Sequence, residues 1–421
     1  MNSGWFYFYN IFVLPLLTAI IYSLSVFNKK IKEGIHGRKN LFIRLEEQIQ
    51  NIDRSKQLFW FHSSSMGEFE QAKPIIKKLK ETTDINIVVT FFSPSGYNHS
   101  LKYPYADIIT YLPFDSVKNS KEFIELVQPN KVIFMRYDYW PNIVWALKEA
   151  NVPTFIVDAT MDMNSKRKLL LVKQFHISLF KNFDKILTIS DEDEKSFLDF
   201  DLDLSKLLTV GDTRFDRVYQ KSLDAKTKNL FSEKIIANKK VLVLGSSWEE
   251  DEDVLLPVIK KIFKYDDNVL VIIAPHEPST ARLEELEYSF TKFKTRRFSY
   301  MNNYSDEKII LIDSIGILLT LYHYAHIAFV GGSFKQKIHN VLEPAVYGIP
   351  VIYGPKNKNS QEALTMIRKG CGLELTNKKD AYRTIRELIV HDDKREEIGN
   401  IATEYVRQNI GATDKIIKEI T

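Results

Sequence analysis

Short apolar runs alternating with amphipathic stretches constrain this chain more than any other feature. In the first half the runs are Leu58–Phe61, Ile85–Thr90, Ile108–Tyr111, Lys131–Phe134, Thr154–Val157 and Lys185–Ile189. They read as strands buried on both faces, since such runs leave no polar side for water. The rhythm pauses over Gln220 to Lys240, rich in Lys, Ser, Asp and Asn, and restarts with Val241–Gly245, Val269–Ala274, Ile309–Ile312, Ile327–Val330 and Val351–Tyr353. Strands separated by crossover helices give a parallel sheet covered on both sides. The expected fold is α/β, with two doubly wound, Rossmann-like domains and ligands in the cleft between them. The expected division is an N-terminal segment 1–28, a first domain 29–220 and a second domain 221–421. The last helix, from about Arg395, is a candidate to cross back to the first domain.

The N-terminal segment has a different character. Trp5 to Phe27 is 23 residues without a charged side chain. As a helix it measures about 35 Å, enough for a bilayer core. Trp5, Tyr7 and Tyr9 suit a membrane interface, and Pro15 is a tolerated kink. A buried core helix is the plainer reading, but such helices rarely run this long without charge. A cleaved signal peptide is disfavoured, because no basic residue precedes the run and no small-residue cleavage site follows it. From Lys29 to Lys56 there are eight basic and four acidic residues, an excess equal to the +4 of the whole chain. The positive-inside rule then places the remainder in the cytoplasm, and the same basic residues suit anionic head groups.

Composition narrows the class. Apolar residues make up 44% and charged residues 27%, which excludes a disordered chain, a collagen-like chain and a multi-span transporter. One cysteine, Cys371, excludes a disulfide framework and a cysteine-based zinc site.

The sharpest motif is His62-Ser-Ser-Ser-Met-Gly-Glu-Phe-Glu70. A strand runs into a small-residue loop, and Glu68 falls at the start of a helix on the carboxyl edge of the sheet. There it would accept a proton from a substrate hydroxyl, held ionised by the helix N-terminus. A helix-dipole Glu without chemistry fits the same pattern. Pro74 delays or kinks that helix. Phe91 to Gly96 offers hydroxyls and a turn. In Arg136-Tyr-Asp-Tyr-Trp-Pro-Asn142, Asp138 and Arg136 are placed to pair with each other. Gly211 to Asp216 carries Arg214, a planar donor for phosphate or carboxylate. Asp191-Glu-Asp193 looks like a metal motif, but Ser190 followed by acids is an N-cap pattern.

In the second half, Gly245-Ser-Ser247 follows a strand, and its backbone donors would suit a phosphate. Ala274-Pro-His-Glu-Pro278 presents His276 either to the cleft or to solvent. Val330-Gly-Gly-Ser333, His339-Asn340-Val-Leu-Glu343, Gly348 and Gly354 are more specific. Glycine turns would admit a nucleotide, Asn340 would lead a helix, and Glu343 would accept hydrogen bonds from a ribose. Neither a Walker A motif nor a full G-x-G-x-x-G after a strand occurs, which disfavours NTP hydrolysis and NAD chemistry.

Taken in order, these motifs resemble those of the bacterial 3-deoxy-D-manno-octulosonic acid (Kdo) transferases of lipid A biosynthesis, GT-B glycosyltransferases. The resemblance runs from the anchor almost to the C-terminus. It rests on Gly37-Arg38, on His62, Ser65, Gly67 and Glu68, on Thr90 to Gly96, on Leu112-Pro-Phe-Asp115, on Arg136 to Asn142 and on Gly211 to Asp216. In the second half it rests on Gly245 to Asp251, Pro275-His276, Ile315-Gly316-Ile317 and Lys337 to Glu343. Departures are Arg136 and Asp138 for two glutamates, Arg214 for lysine, Trp248 for histidine, His276 for arginine and Ile317 for an acid. Two glycines before His339 are also missing.

The resemblance implies that the first domain binds the lipid acceptor and the second binds the donor, CMP-Kdo. It implies Glu68 as catalytic base, with Asp138 and Arg214 beside it. Pro275, His276, Ile315, Gly316, Ile317, Asn340, Val341, Leu342 and Glu343 would hold the nucleotide. The reaction implied is inverting transfer of Kdo to the glucosamine 6-hydroxyl of a lipid A precursor at the inner membrane. No metal and no cofactor besides the donor are called for. The rival readings are a UDP-sugar transferase acting on another membrane lipid, and a membrane-anchored binding protein with a decayed site.

Overall fold

A computed structural model describes residues 4–421. The first three residues of the expected anchor lie outside the described residues. The chain divides into two compact units, residues 1–217 with 410–421 and residues 218–409.

The first unit is built on seven parallel strands: β1 (Gln57–Ser63), β2 (Ile85–Phe91), β3 (Ile108–Tyr111), β4 (Lys131–Met135), β5 (Thr154–Ala159), β6 (Lys185–Thr188) and β7 (Leu207–Thr209). Their order across the sheet is β3-β2-β1-β4-β5-β6-β7. Alternate side chains of one strand serve opposite cores. Leu58 and Trp60 pack with Val88, Phe123 and Phe134, whereas Phe59 and Phe61 pack with Phe69, Ile76 and Val89. Burial on both faces explains why these strands are apolar throughout.

Residues 410–421, assigned to the second domain by the sequence division, belong to the first unit. The carboxylate of Asp216 accepts hydrogen bonds from the backbone of Gly411 and Thr413, each 2.6 Å, and from the Thr413 hydroxyl. Ile416 and Ile420 are fully buried beside Phe59 and Phe69. The crossing segment is thus shorter than the expected one, because the helix Asp392–Asn409 stays with the second unit.

The second unit holds β8 (Lys240–Ser247), β9 (Val269–Pro275), β10 (Thr295–Arg297), β11 (Ile309–Leu311), β12 (Ile327–Val330), β13 (Val351–Tyr353) and β14 (Gly372–Glu374), all parallel. The order is β10-β11-β9-β8-β12-β13-β14. In each sheet the first strand of the unit is interior, and the winding reverses beside it. The switch points fall between β1 and β4, and between β8 and β12. Loops at the carboxyl ends of those strands are where α/β folds place ligands.

The N-terminal apolar segment forms a helical run, Gly4–Ser25, long and apolar enough to cross a membrane. The helix Met66–Thr82 runs unbroken through Pro74, against the expected delay or kink. Phe69, Ala72, Ile75, Ile76 and Leu79 bury its inner face, and that burial outweighs the rung that proline removes.

Candidate active site

The first unit gathers its motifs around the β1–β4 switch point. Ser65 caps the helix Met66–Thr82, its hydroxyl accepting the backbone N–H of Glu68 at 3.5 Å. Glu68 turns back, and its carboxylate accepts the backbone N–H of Ser64 at 2.5 Å. The loop after β2 is tied in, since Ser93 N–H donates to the Ser64 carbonyl at 2.9 Å.

From the far side of the switch point comes Asp138. The fully buried His62 bridges to it, with Nε2 at 2.9 Å from Asp138 and Nδ1 at 2.8 Å from the Thr90 hydroxyl. Trp60 Nε1–H donates to the same hydroxyl at 2.8 Å. An indole can only donate, so the Thr90 hydrogen is free for His62 Nδ1. We therefore assign the imidazole hydrogen to Nε2, facing Asp138. Asp138 is partnered by His62, and the ion pair expected with Arg136 does not form. Arg136 instead takes a left-handed backbone, φ +63°, with its guanidinium over the Tyr137 ring at 5.5 Å.

These surroundings push the two carboxyls apart. Burial raises the Glu68 pKa, the negative charge of Asp138 raises it further, and the Ser64 bond, His62 and Arg136 only partly offset this. The helix N-terminus is therefore not the dominant influence on Glu68, because the carboxylate is buried as well as capped. Burial raises Asp138 too, but the bond and charge of His62 and the hydroxyl of Ser64 outweigh it, and its pKa falls. A carboxyl poised upward beside one held ionised is an acid–base arrangement.

Arg214 opens the helix Thr213–Lys226 and is bound by Asp212, Nε to Oδ2 at 2.8 Å and Nη2 to Oδ2 at 2.5 Å. Next to it, fully buried Asp158 accepts the backbone N–H of Thr213 at 3.2 Å and the Thr213 hydroxyl. Burial and the charge of Asp212 push the Asp158 carboxyl up to about 7. Arg217 pairs with Glu70, which ties this helix to the one carrying Glu68. Asp158 was missed in the sequence because β5 gave no motif around it.

Two motif residues turn out to be structural. Arg38 donates to the carbonyls of Leu112, Gly34 and Phe92 at 2.7 to 2.8 Å. It is stacked by Phe92, Tyr111 and Phe114, and burial pulls its pKa down to about 10. Asp115, only 3% exposed, accepts the backbone N–H groups of Asn142 and Ile143 and fixes the helix Pro141–Glu149. Asp193 is an N-cap partner as expected, its N–H donating to Ser190 at 3.2 Å. A pocket of about 450 Å³ opens beside Arg38, lined by Ile21, Ile31, Gly34, Phe92, Pro94 and Phe114 among others.

In the second unit the expected nucleotide residues lie on loops at the carboxyl edge of the sheet. His276 follows β9 and is exposed. Its ring stacks on Trp248 at 4.4 Å and on His339 at 4.6 Å, while Trp248 Nε1–H donates to His339 Nε2 at 3.1 Å. Lys335 covers Trp248 at 3.8 Å. Two departures from the family pattern, Trp248 and His276, thus meet in space. Pro275 ends β9 and is buried. Ile315, Gly316 and Ile317 form the loop before the helix Leu318–Tyr322, with Ile315 outermost and Gly316 at φ +88°. Asn340 accepts the Leu342 N–H at 3.1 Å and donates to Glu343 at 3.2 Å, so Asn340, Val341, Leu342 and Glu343 form one helix start.

The glycines there serve the chain itself. A Cβ on Gly331 would lie 2.0 Å from the Ser246 carbonyl oxygen. Buried Asp251 accepts the N–H groups of Gly332 (2.7 Å), Phe334 (2.9 Å) and Trp248 (3.0 Å) and locks the two loops together. The backbone donors of Gly332, Phe334 and Trp248 are thus committed to a carboxylate.

Among known families, the one described as 3-Deoxy-D-manno-octulosonic-acid transferase (kdotransferase) matches residues 39–217. The chain is 30% identical over 343 residues to the 3-deoxy-D-manno-octulosonic acid transferase of Aquifex aeolicus (strain VF5), covering 81% of this chain and 88% of that protein. It is 28% identical over 377 residues to that of Chlamydophila psittaci (strain ATCC VR-125 / 6BC), covering 86% and 85%. Among solved structures, the UDP-GlcNAc 2-epimerase from Neisseria meningitidis bound to UDP-GlcNAc has a TM-score of 0.61 at 15% identity, covering 87% of this chain and 99% of that one. That likeness is one of fold, the GT-B type with two Rossmann-like units.

Proposed function

The chain belongs to the 3-deoxy-D-manno-octulosonic acid transferase family of glycosyltransferases, and from that premise we propose an inverting transfer of Kdo from CMP-Kdo to the glucosamine 6-hydroxyl of a lipid A precursor. The observation that carries this reading is Glu68, buried at the β1–β4 switch point beside an ionised Asp138. Glu68 takes the proton of the acceptor hydroxyl. That oxygen forms the new bond to the anomeric carbon, and the bond from that carbon to the phosphate oxygen breaks, its electron pair leaving with CMP. The transition state has oxocarbenium character. Glu68 with a raised pKa is a stronger base than a free carboxylate, the charge of Asp138 contributes to that rise, and the Ser64 N–H orients the carboxylate. Arg214 would exchange part of its bond to Asp212 for the departing phosphate. In the second unit Pro275, His276, the 315–317 loop and residues Asn340 to Glu343 would hold the cytidine nucleotide.

The acceptor enters through the first unit. Its apolar pocket beside Arg38 lies next to Phe92, one residue before the Ser93 that bonds the Glu68 loop. The N-terminal helix keeps that unit at the inner membrane, with the catalytic units on the cytoplasmic face, where the sugars of the precursor lie. The donor is the sole small molecule the reaction requires. The decisive experiment mixes detergent-solubilised protein with lipid A precursor and CMP-Kdo generated in place, and weighs the lipid products by mass spectrometry. A mass increase of one or more Kdo units is expected. No increase, with folded protein and an active control, overturns the donor assignment and directs a screen of UDP-sugars.

A further inference from the structure

The apolar N-terminal helix does not stand free of the protein. Along Gly4–Ser25, residues Phe6, Tyr9, Asn10, Val13 and Leu14, and further on Ile21, are buried or half-buried. Their spacing of three or four marks one helix face. Phe6, Val13 and Leu14 pack on the core of the first unit. Phe6 meets Trp145 at 5.2 Å between ring centres, and Trp5 and Tyr9 meet Phe175 at 5.9 and 6.0 Å.

The polar groups of the helix are satisfied by the same unit. Tyr9 donates its hydroxyl hydrogen to Asp115 at 2.8 Å. Asn10 and Asn142 exchange amide hydrogen bonds at 2.9 Å each. Asp115 in turn holds the backbone of Asn142 and Ile143, so this contact is part of the folded unit and not an accident of a loose terminus. The opposite face shows Phe8, Ile11, Phe12, Leu16, Ile20 and Leu24 to the outside.

A helix docked in this way cannot cross a bilayer. With residues 4–14 held on the unit, only residues 15–27 remain, about 20 Å of helix against a hydrocarbon core of about 30 Å. Undocking would strip the Tyr9 hydroxyl of Asp115 and Asn10 of Asn142, leaving in lipid a bare phenol and an amide held only by the Phe6 carbonyl of its own helix. We propose that the helix lies in the plane of one leaflet, its docked face on the first unit, its exposed face among the acyl chains, and both its ends on the same side of the membrane.

The surface continues beyond the helix. Phe175, which carries Trp5 and Tyr9, belongs to the helix Leu170–Phe180, whose first turn exposes Leu170 (77%), Leu171 (73%) and Val172 (40%). Lys166 and Lys173 flank that turn, and Lys29, Lys30 and Lys32 follow the apolar helix. Apolar side chains rimmed by lysines suit the boundary between acyl chains and anionic head groups. The occupant is a lipid leaflet, and the inference rests on the reading that the protein works at a membrane.

The test uses the full chain with Cys371→Ala and one new cysteine, Gly4→Cys or Lys29→Cys. Membrane vesicles of both orientations are treated with an impermeant maleimide. Labelling of both cysteines in the same vesicle orientation is expected. Labelling in opposite orientations overturns the in-plane placement while leaving membrane attachment intact. Flotation with liposomes of zwitterionic lipid and of zwitterionic plus anionic lipid tests attachment itself. No flotation with either overturns both the membrane reading and this inference. Leu170→Asp combined with Leu171→Asp should lower the floated fraction several-fold with the helix present. An unchanged fraction overturns the second contact.

Discussion

Both units wind seven parallel strands about a switch point beside their first strand, and they use it in opposite ways. Each has its first strand in the interior of the sheet and its motif loops at the carboxyl ends beside the switch point. In the first unit the carboxyls of the proposed site are withdrawn from water: Glu68 is buried, as is nearby Asp158, and Asp138 is half-buried against His62. In the second unit the fully buried carboxylate of Asp251 joins backbone to backbone, and two of the polar residues proposed for the nucleotide, His276 and Asn340, are exposed. A unit that moves a proton must hold charge in a low dielectric to tune it. A unit that only holds a charged nucleotide can leave its contacts at the surface and fix the loops that carry them.

That contrast predicts where damage will be felt. Glu68→Ala should produce the largest effect, a loss of transfer of about a thousandfold, with CMP affinity by calorimetry unchanged. Weakened CMP binding in that variant would break the division of labour. Asp251→Ala should act the other way. Three backbone donors lose their acceptor, the second unit loses about 2–3 kcal/mol of stability, and CMP binding fails, while the thermal transition of the first unit stays in place.

Asp138→Asn should be milder. Removing its charge lowers the Glu68 pKa, since Asp138 is the second cause of the upward shift after burial. Transfer requires ionised Glu68, so the acidic limb of the rate–pH profile should move to lower pH and the maximal rate should fall roughly tenfold, as expected of a weaker base. A limb that moves to higher pH would contradict the arrangement. The smallest effect is expected of His276→Ala, a few-fold rise in the CMP dissociation constant, because one exposed stacked ring is lost and Trp248 and His339 keep their hydrogen bond.

Much of the fold was legible because burial on both faces leaves long apolar runs. The strands it did not yield are β7, β10 and β14. Each has only three residues, and Thr295-Arg-Arg297 carries two charges. An edge strand has one neighbour and needs no apolar run. At the site, the place of Glu68 at a helix start could be read from local order, a strand, small residues and a glycine. The partnership of His62 with Asp138 could not, because it depends on β1 lying beside β4, which spacing along the chain does not state. The upward shift of Glu68 was not legible for a related reason: a helix N-terminus is visible in sequence, and burial under neighbouring loops is not. Gly331 was read as room for a nucleotide, yet its space is taken by the Ser246 backbone.

The return of residues 410–421 to the first unit has a kinetic consequence. Ile416 and Ile420 complete a core that begins at Phe59, and they are synthesised only after every residue of the second unit. On the ribosome the first unit must therefore wait, its hydrophobic face open along Phe59, Phe61 and Phe69, while the second unit is made and folds. A chaperone binding site, transient and erased once the final helix docks, is the natural cost of that chain order.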